Sequence, residues 1–316
     1  MYIIIILPCM KKLEAWIRII RPPIVFISCL GVFVGALNTA VFLRTDLTIF
    51  QILMVVIGAA FLSSGLMIHN DVTDLKSDEV NRPHKPLPQR IINTKTASAI
   101  GILLMVLSIL IALFVNFKDE GSLNINCGLL TIVIVLIGLY YNHYGKYHGI
   151  FGNLAVALGV GAIPYWGSIA VFPDHLNVMF LLAFAIFIME IGREIMVNAG
   201  DYIGDQKAGF KTLPVNIGRK NSMYIALLFY LLFIPLYLLP ACDWIGLGIP
   251  KVFGILYIVG GGVFAFSLLL TWILTFRVVI KNNEEKIWAA FERYERTGTR
   301  LMIIIFQIVL LLEVFY

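Results

Sequence analysis

Long apolar runs separated by short polar stretches dominate the chain, at about 22–43, 50–69, 97–117, 123–142, 150–172, 177–198, 222–241, 252–276 and 298–316. Each is close to the roughly 20 residues a helix needs to cross a bilayer. Nowhere do apolar and polar residues alternate long enough to build a barrel, so backbone groups in lipid must be satisfied within helices. The pattern predicts an all-α polytopic membrane protein of nine transmembrane helices, a single domain over 1–316. Ahead of the first span, 11–21 mixes Trp16, Ile17, Ile19 and Ile20 with Lys11, Lys12, Arg18 and Arg21, which suits a helix lying in the interface. The apolar stretch before it, within 1–7, has no preceding base and no small-residue cleavage site after it, and so does not read as a signal peptide.

Composition narrows the class. At 60% apolar and 14% charged, the 316 residues exclude an ordinary soluble globule and a disordered chain. The net charge of +5 comes from 24 bases against 19 acids with no basic stripe, which excludes a nucleic-acid partner. Cys9, Cys29, Cys127 and Cys242 form no CxxC pair and read as packing residues. Alternate loops carry 21 of the 24 bases, and only Arg44, Lys118 and Lys251 fall on the other side. By the positive-inside rule the N-terminus and the 70–95 and 199–221 loops are expected to be cytoplasmic.

Carboxylates at the ends of membrane helices are costly, so their placement is informative. From Asn70 at 100° per residue, Asp74 falls at about 40°, Asp78 at about 80° and Asp71 at about 100°, all on one face. A second stripe joins Glu194, Asn198, Asp201 and Asp205, with Gly200 and Gly204 weakening the helix there. Like charges crowded on a low-dielectric face repel unless cations neutralise them. Oxygen ligands in this number suit Mg²⁺, which keeps waters and shares its shell with phosphates. The metal ligands expected are Asn70, Asp74, Asp78, Asp201 and Asp205. Arg82, Lys85, Arg90, Lys146, Lys207 and Lys211 lie near enough in sequence to hold the oxygens of a diphosphate. Three prolines in Asn81-Arg82-Pro83-His84-Lys85-Pro86-Leu87-Pro88 exclude a helix beside the first stripe.

These residues carry a resemblance. Asn70-Asp71-x-x-Asp74-x-x-x-Asp78 with Asn81-Arg82-Pro-x-Lys85-Pro-Leu-Pro resembles the first signature of the UbiA superfamily of intramembrane polyprenyltransferases. Asp201-x-x-Gly204-Asp205 with Lys207-Ala-Gly209-x-Lys211-Thr-Leu-Pro214 resembles the second, and Arg193-Glu194-Ile195 is most similar to the archaeal digeranylgeranylglyceryl phosphate synthases as a group. Val197-Asn198 and Gly200 depart from that group's pattern. The resemblance implies a helical bundle around a central cavity and Mg²⁺-dependent transfer of a prenyl group from its diphosphate to an acceptor. In that scheme Asp71, Asp74, Asp78, Asp201 and Asp205 serve catalysis, and Asn70, Asn198 and the bases named above bind substrate. The best acceptor is a lipid phosphate, geranylgeranylglyceryl phosphate; an aromatic quinone or chlorophyll precursor, or cyclisation without an acceptor, are alternatives.

Other residues weigh less. His69 reads as an interfacial hydrogen-bonding residue before it reads as a base. Tyr140, Tyr141, Tyr165 and Trp166 are candidates for a cavity wall whose ring faces stabilise an allylic cation. The stretch 281–300 reads as a solvated loop with a helical part. A cation-coupled transporter, the rival class, would place its acids at mid-depth and not at helix ends.

Overall fold

The computed structural model describes residues 2–117, 121–175, 178–242, 251–281 and 284–315. Among them the regular elements are all helical. In order they are α1 (Tyr2–Ile20), α2 (Pro22–Leu43), α3 (Ile49–Thr73), α4 (Leu75–Asn81), α5 (Thr94–Phe114), α6 (Ile125–His143) and α7 (Ile150–Val171). Then come α8 (Phe180–Ala208), α9 (Leu213–Ile217), α10 (Arg219–Leu238), α11 (Ile255–Ile280), α12 (Glu284–Ala290), a π-helical stretch over Phe291–Thr299, and α13 (Arg300–Leu312).

Eight helices among the described residues are long and apolar enough to cross a membrane: α2, α3, α5, α6, α7, α10, α11 and the run from α12 into α13. The other expected span, 177–198, is the first part of α8, a 29-residue helix that also carries Glu190, Arg193 and Glu194. Those charges are satisfied internally, because Arg193 pairs with Glu190, Glu194 and Glu295. The integral, multi-pass character of the protein follows from these helices.

Local chemistry explains the breaks. Arg21 takes a left-handed conformation (φ 59°), and Pro22 and Pro23 then start α2, where missing N–H groups cost nothing. Thr48 and Gln51 form a reciprocal capping box at the head of α3. α8 ends at Gly209, whose φ of 76° suits glycine.

Two boundaries differ from the sequence reading. The interfacial helix expected over 11–21 starts at Tyr2, and the loop expected over 199–221 is helical as far as Ala208. In the second case packing overrides propensity: Gly200 lies against the Phe291 side chain, where a Cβ would sit 3.1 Å from the Phe291 Cβ and Cγ.

Besides a smaller apolar cluster that joins α1 to α3 and α5, the core has two large ones, one built mainly from α8, α10, α11 and α13, the other from α2, α3, α5, α6 and α7. Between them α2 and α7 cross with almost no space. A Cβ on Gly35 would overlap the Pro164 carbonyl, and one on Gly167 would overlap the Val32 carbonyl. Small residues permit such approach in membranes, where lipid offers no hydrophobic drive for association. Thr39 donates to Ser168 (2.8 Å) across the same crossing.

Candidate active site

The first acidic stripe straddles the junction of α3 and α4. The Asp74 N–H donates to the Asn70 carbonyl (2.9 Å) and the Asp78 N–H to the Asp74 carbonyl (2.8 Å), so helical spacing survives the junction. Asn70, Asp74 and Asp78 therefore line one chamber. Asp71 does not line it; its carboxylate pairs with Arg21 and with Lys85 Nζ (3.0 Å). Lys85 also holds Asp78 (2.6 Å), which it reaches because the proline-rich turn folds back and buries Leu87 and Ile92 against Ala15, Ile19 and Ile68. Burial raises the Asp78 carboxyl above its ordinary range, and Lys85 opposes that rise.

The second stripe is the last part of α8, where Glu194, Asn198, Asp201 and Asp205 face the same chamber. Asp201 pairs with Arg82 (3.0 Å) and Arg296. Asp205 accepts a hydrogen bond from the Thr212 hydroxyl (3.3 Å). Burial, with Asp201 adding repulsion, pushes the Asp205 carboxyl up to about 7.

Among the described residues, no three carboxylates or other metal ligands converge closely enough to cage a metal by themselves. The donor set is nonetheless hard oxygen and partly charge-compensated, which fits an ion that completes its shell with water and substrate phosphate.

The polar chamber has a volume of about 430 Å³ and shares wall residues with two apolar arms, Met67, Asn70 and Tyr141 with the first and Arg193 and Arg300 with the second. The first arm, about 190 Å³, runs between α3, α6 and α7 past Leu62, Leu66, Ile134, Ile137 and Trp166. The second, about 180 Å³, runs between α8, α11 and α13 past Leu182, Ile186, Met189, Phe264, Ile303 and Leu310. Ile24, Ser28, Val160 and Ile163, from the α2–α7 crossing, contribute to the walls of both arms.

Tyr141 lines the chamber and the first arm, and Trp166 lines that arm. Tyr140 is exposed and stacks on Tyr144, while Tyr165 packs against Phe180; neither lines these cavities. His69 is buried, with Nδ1 3.0 Å from the Asn142 amide nitrogen, and Asn142 in turn accepts from Asn70 (2.9 Å). It thus steadies a stripe residue from behind.

Arg82 and Lys85 reach the chamber, as do Asn70 and Asn198. Arg90, Lys207 and Lys211 are exposed and do not line it; Arg90 sits in a left-handed turn (φ 55°) and Lys207 in the final turn of α8. The Lys146 side chain lies outside the described residues. Sequence reasoning missed Glu292, Arg296 and Arg300, which enter the chamber from the stretch read as a solvated loop. The signal was present in the spacing. Arg300, Ile303, Gln307 and Leu310 recur at three- and four-residue intervals, one helix face headed by a base.

The profile of the UbiA prenyltransferase family matches residues 25–298. A digeranylgeranylglyceryl phosphate synthase of Thermococcus kodakarensis is 33% identical over 244 residues, covering 75% of this chain and 81% of the relative. The synthase of the same name from Methanocaldococcus jannaschii is 28% identical, covering 79% and 81%. In fold, the chain is similar to a solved digeranylgeranylglyceryl phosphate synthase (TM-score 0.68, 22% identity, 96% and 99% covered). It is also similar to a UbiA homologue from Archaeoglobus fulgidus bound to GPP and Mg²⁺ (TM-score 0.66, 17% identity, 96% and 97% covered).

Proposed function

The chain belongs to the UbiA prenyltransferase family, and from that membership we propose that it transfers a geranylgeranyl group from its diphosphate to a lipid-phosphate acceptor, geranylgeranylglyceryl phosphate, in ether-lipid synthesis. The observation that carries this reading is the forked cavity: one polar chamber sharing walls with two apolar arms of nearly equal volume. A small aromatic acceptor needs one arm, for the donor chain. An acceptor with its own isoprenoid chain needs two. The names of the curated relatives support the same choice.

In this reading Asn70, Asp74, Asp78, Asp201 and Asp205 hold Mg²⁺, and Arg82 and Lys85 meet diphosphate oxygens. Bound Mg²⁺ would supply Lewis-acid neutralisation of the leaving diphosphate. Asp71 keeps Lys85 and Arg21 aimed, and acts through them. The first arm takes the donor chain, with the Tyr141 ring where arm and chamber meet. As the bond from prenyl carbon to diphosphate oxygen breaks, its electron pair leaves with the diphosphate. The acceptor hydroxyl oxygen bonds that carbon, and its proton passes to the departing diphosphate. The apolar walls exclude the water that would otherwise capture the carbon.

The distribution of bases, 21 of 24 on one side, supports a cytoplasmic chamber mouth and N-terminus. The test is to incubate purified protein with geranylgeranyl diphosphate, Mg²⁺ and a panel of acceptors, and to identify products by mass spectrometry. Geranylgeranylglyceryl phosphate, homogentisate, dihydroxynaphthoate and hydroxybenzoate make up the panel. A doubly prenylated glyceryl phosphate is the expected product. Prenylation of an aromatic ring alone overturns the lipid assignment.

A further inference from the structure

Six cationic side chains line the polar chamber: Arg21, Arg82, Lys85, Arg193, Arg296 and Arg300. Five are committed. Arg21 and Lys85 hold Asp71, Arg82 and Arg296 hold Asp201, and Arg193 holds Glu190. The Arg300 side chain makes no ion pair or hydrogen bond among the described residues, and the residue is exposed. Arg193, Arg296 and Arg21 face it with like charge, and of the opposite sign only Glu295 is prominent, already engaged by Arg193.

Position gives this spare charge a meaning. Arg300 lines both the polar chamber and the second arm, and so marks the doorway between them. It is the first residue of α13, and the face below it, through Ile303, Gln307 and Leu310, walls the arm. An amphiphile with an apolar tail in that arm must present its headgroup at Arg300. Arg82 and Lys85, beside the first stripe, line the same chamber, and there the donor diphosphate is handled.

We propose that Arg300 is the anchor for the acceptor's phosphate and that the second arm holds the acceptor's isoprenoid chain. This rests on the lipid-phosphate reading above. It separates the two anions by which cations they meet: diphosphate at Arg82 and Lys85, monophosphate at Arg300. A guanidinium suits a phosphate because its planar fork donates two parallel hydrogen bonds. The acceptor is thereby held with its tail leading away from the donor tail and its glycerol end toward the reacting carbon.

The test compares wild type, Arg300→Gln and Arg300→Lys in bilayer discs, with geranylgeranyl diphosphate, Mg²⁺ and either geranylgeranylglyceryl phosphate or the dephosphorylated alcohol. Loss of a charged hydrogen-bonding partner is expected to raise the KM for the phosphate acceptor roughly ten- to a hundredfold in Arg300→Gln. The KM for the donor and for the alcohol should stay within about twofold, and Arg300→Lys should recover part of the loss. An Ile303→Trp variant, which fills the second arm, should raise KM for the long-chain acceptor and leave that of the donor unchanged. An unchanged ratio of phosphate to alcohol KM in Arg300→Gln, or a parallel rise in donor KM, overturns the anchor while leaving the lipid reading standing. A wild-type enzyme that prenylates neither lipid overturns that reading and the anchor with it.

Discussion

The two acidic stripes face each other across one chamber but are neutralised differently. In the first, Asp71 and Asp78 are held by Lys85, a base 14 and 7 residues further along the same turn of chain. In the second, Asp201 depends on Arg82 and Arg296, which lie 119 and 95 residues away in sequence. Asp205 has no counter-charge in hydrogen-bonding range among the described residues, only the Thr212 hydroxyl. The first stripe is thus held mainly by a base of its own turn, with Arg21 joining Asp71 from 50 residues away. The second is completed by tertiary folding and keeps one carboxyl poised near neutrality, where a metal and a proton compete for it.

The largest effects should separate the stripes by role. Asp205→Ala should lower kcat on the order of 10²–10³-fold, as removal of a group stabilising transition-state charge does, with EDTA abolishing turnover of the wild type and Mg²⁺ restoring it. Asp71→Asn should cost less, about tenfold, because that carboxylate works through Lys85 and Arg21 and one hydrogen bond to a charge is at stake. Equal losses in single-turnover rates at the two positions would erase the distinction.

Next is a pH effect confined to the second stripe. Below about 7 the raised Asp205 carboxyl holds a proton that Mg²⁺ must displace. The apparent activation constant for Mg²⁺ should therefore be about tenfold lower (tighter) at pH 8 than at pH 6. Asp205→Asn, with no proton to displace, should flatten that dependence, measured by metal titration of donor binding at each pH.

Smaller still is a packing effect. Gly200→Val would press into the Phe291 ring, shift the stretch carrying Arg296, and destabilise by about 1–3 kcal/mol. A lowered thermal midpoint with a weakened Mg²⁺ response is the expected result. Last, Arg90→Ala, Lys207→Ala and Lys211→Ala should each change kcat/KM by no more than about twofold, since these side chains are exposed and outside the chamber wall. A tenfold loss at Lys211 would mean that its loop closes over bound substrate.

The same contrast decides what could be read from the chain. The spans were legible because hydropathy reports on lipid directly, and Asn70, Asp74 and Asp78 were legible because helix periodicity alone brings them together. Arg296 and Arg300 were not. Charge density over 281–300 looks like a solvated loop, yet Phe291, Glu295 and Thr299 are buried. The four-residue spacing of Phe291, Glu295 and Thr299, and of Glu292, Arg296 and Arg300, carries a helix-face signal that the charge density of the stretch masks. Likewise, Gly200 and Gly204 signalled a break in α8, because propensity takes no account of a ring packed against the glycine's missing side chain.

The glycine crossing of α2 and α7 bears on how chain length is measured. Gly35 and Gly167 lock α2 against α7, the pair of helices whose Ile24, Ser28, Val160 and Ile163 wall both arms, so these helices cannot part to let one arm borrow room from the other. Each limb of a forked product then has its own ruler. Enlarging Leu62 or Ile134 should shorten the prenyl chain accepted on one side only, and enlarging Met189 or Ile303 only on the other. The protein could in this way be tuned to join two tails of unequal length.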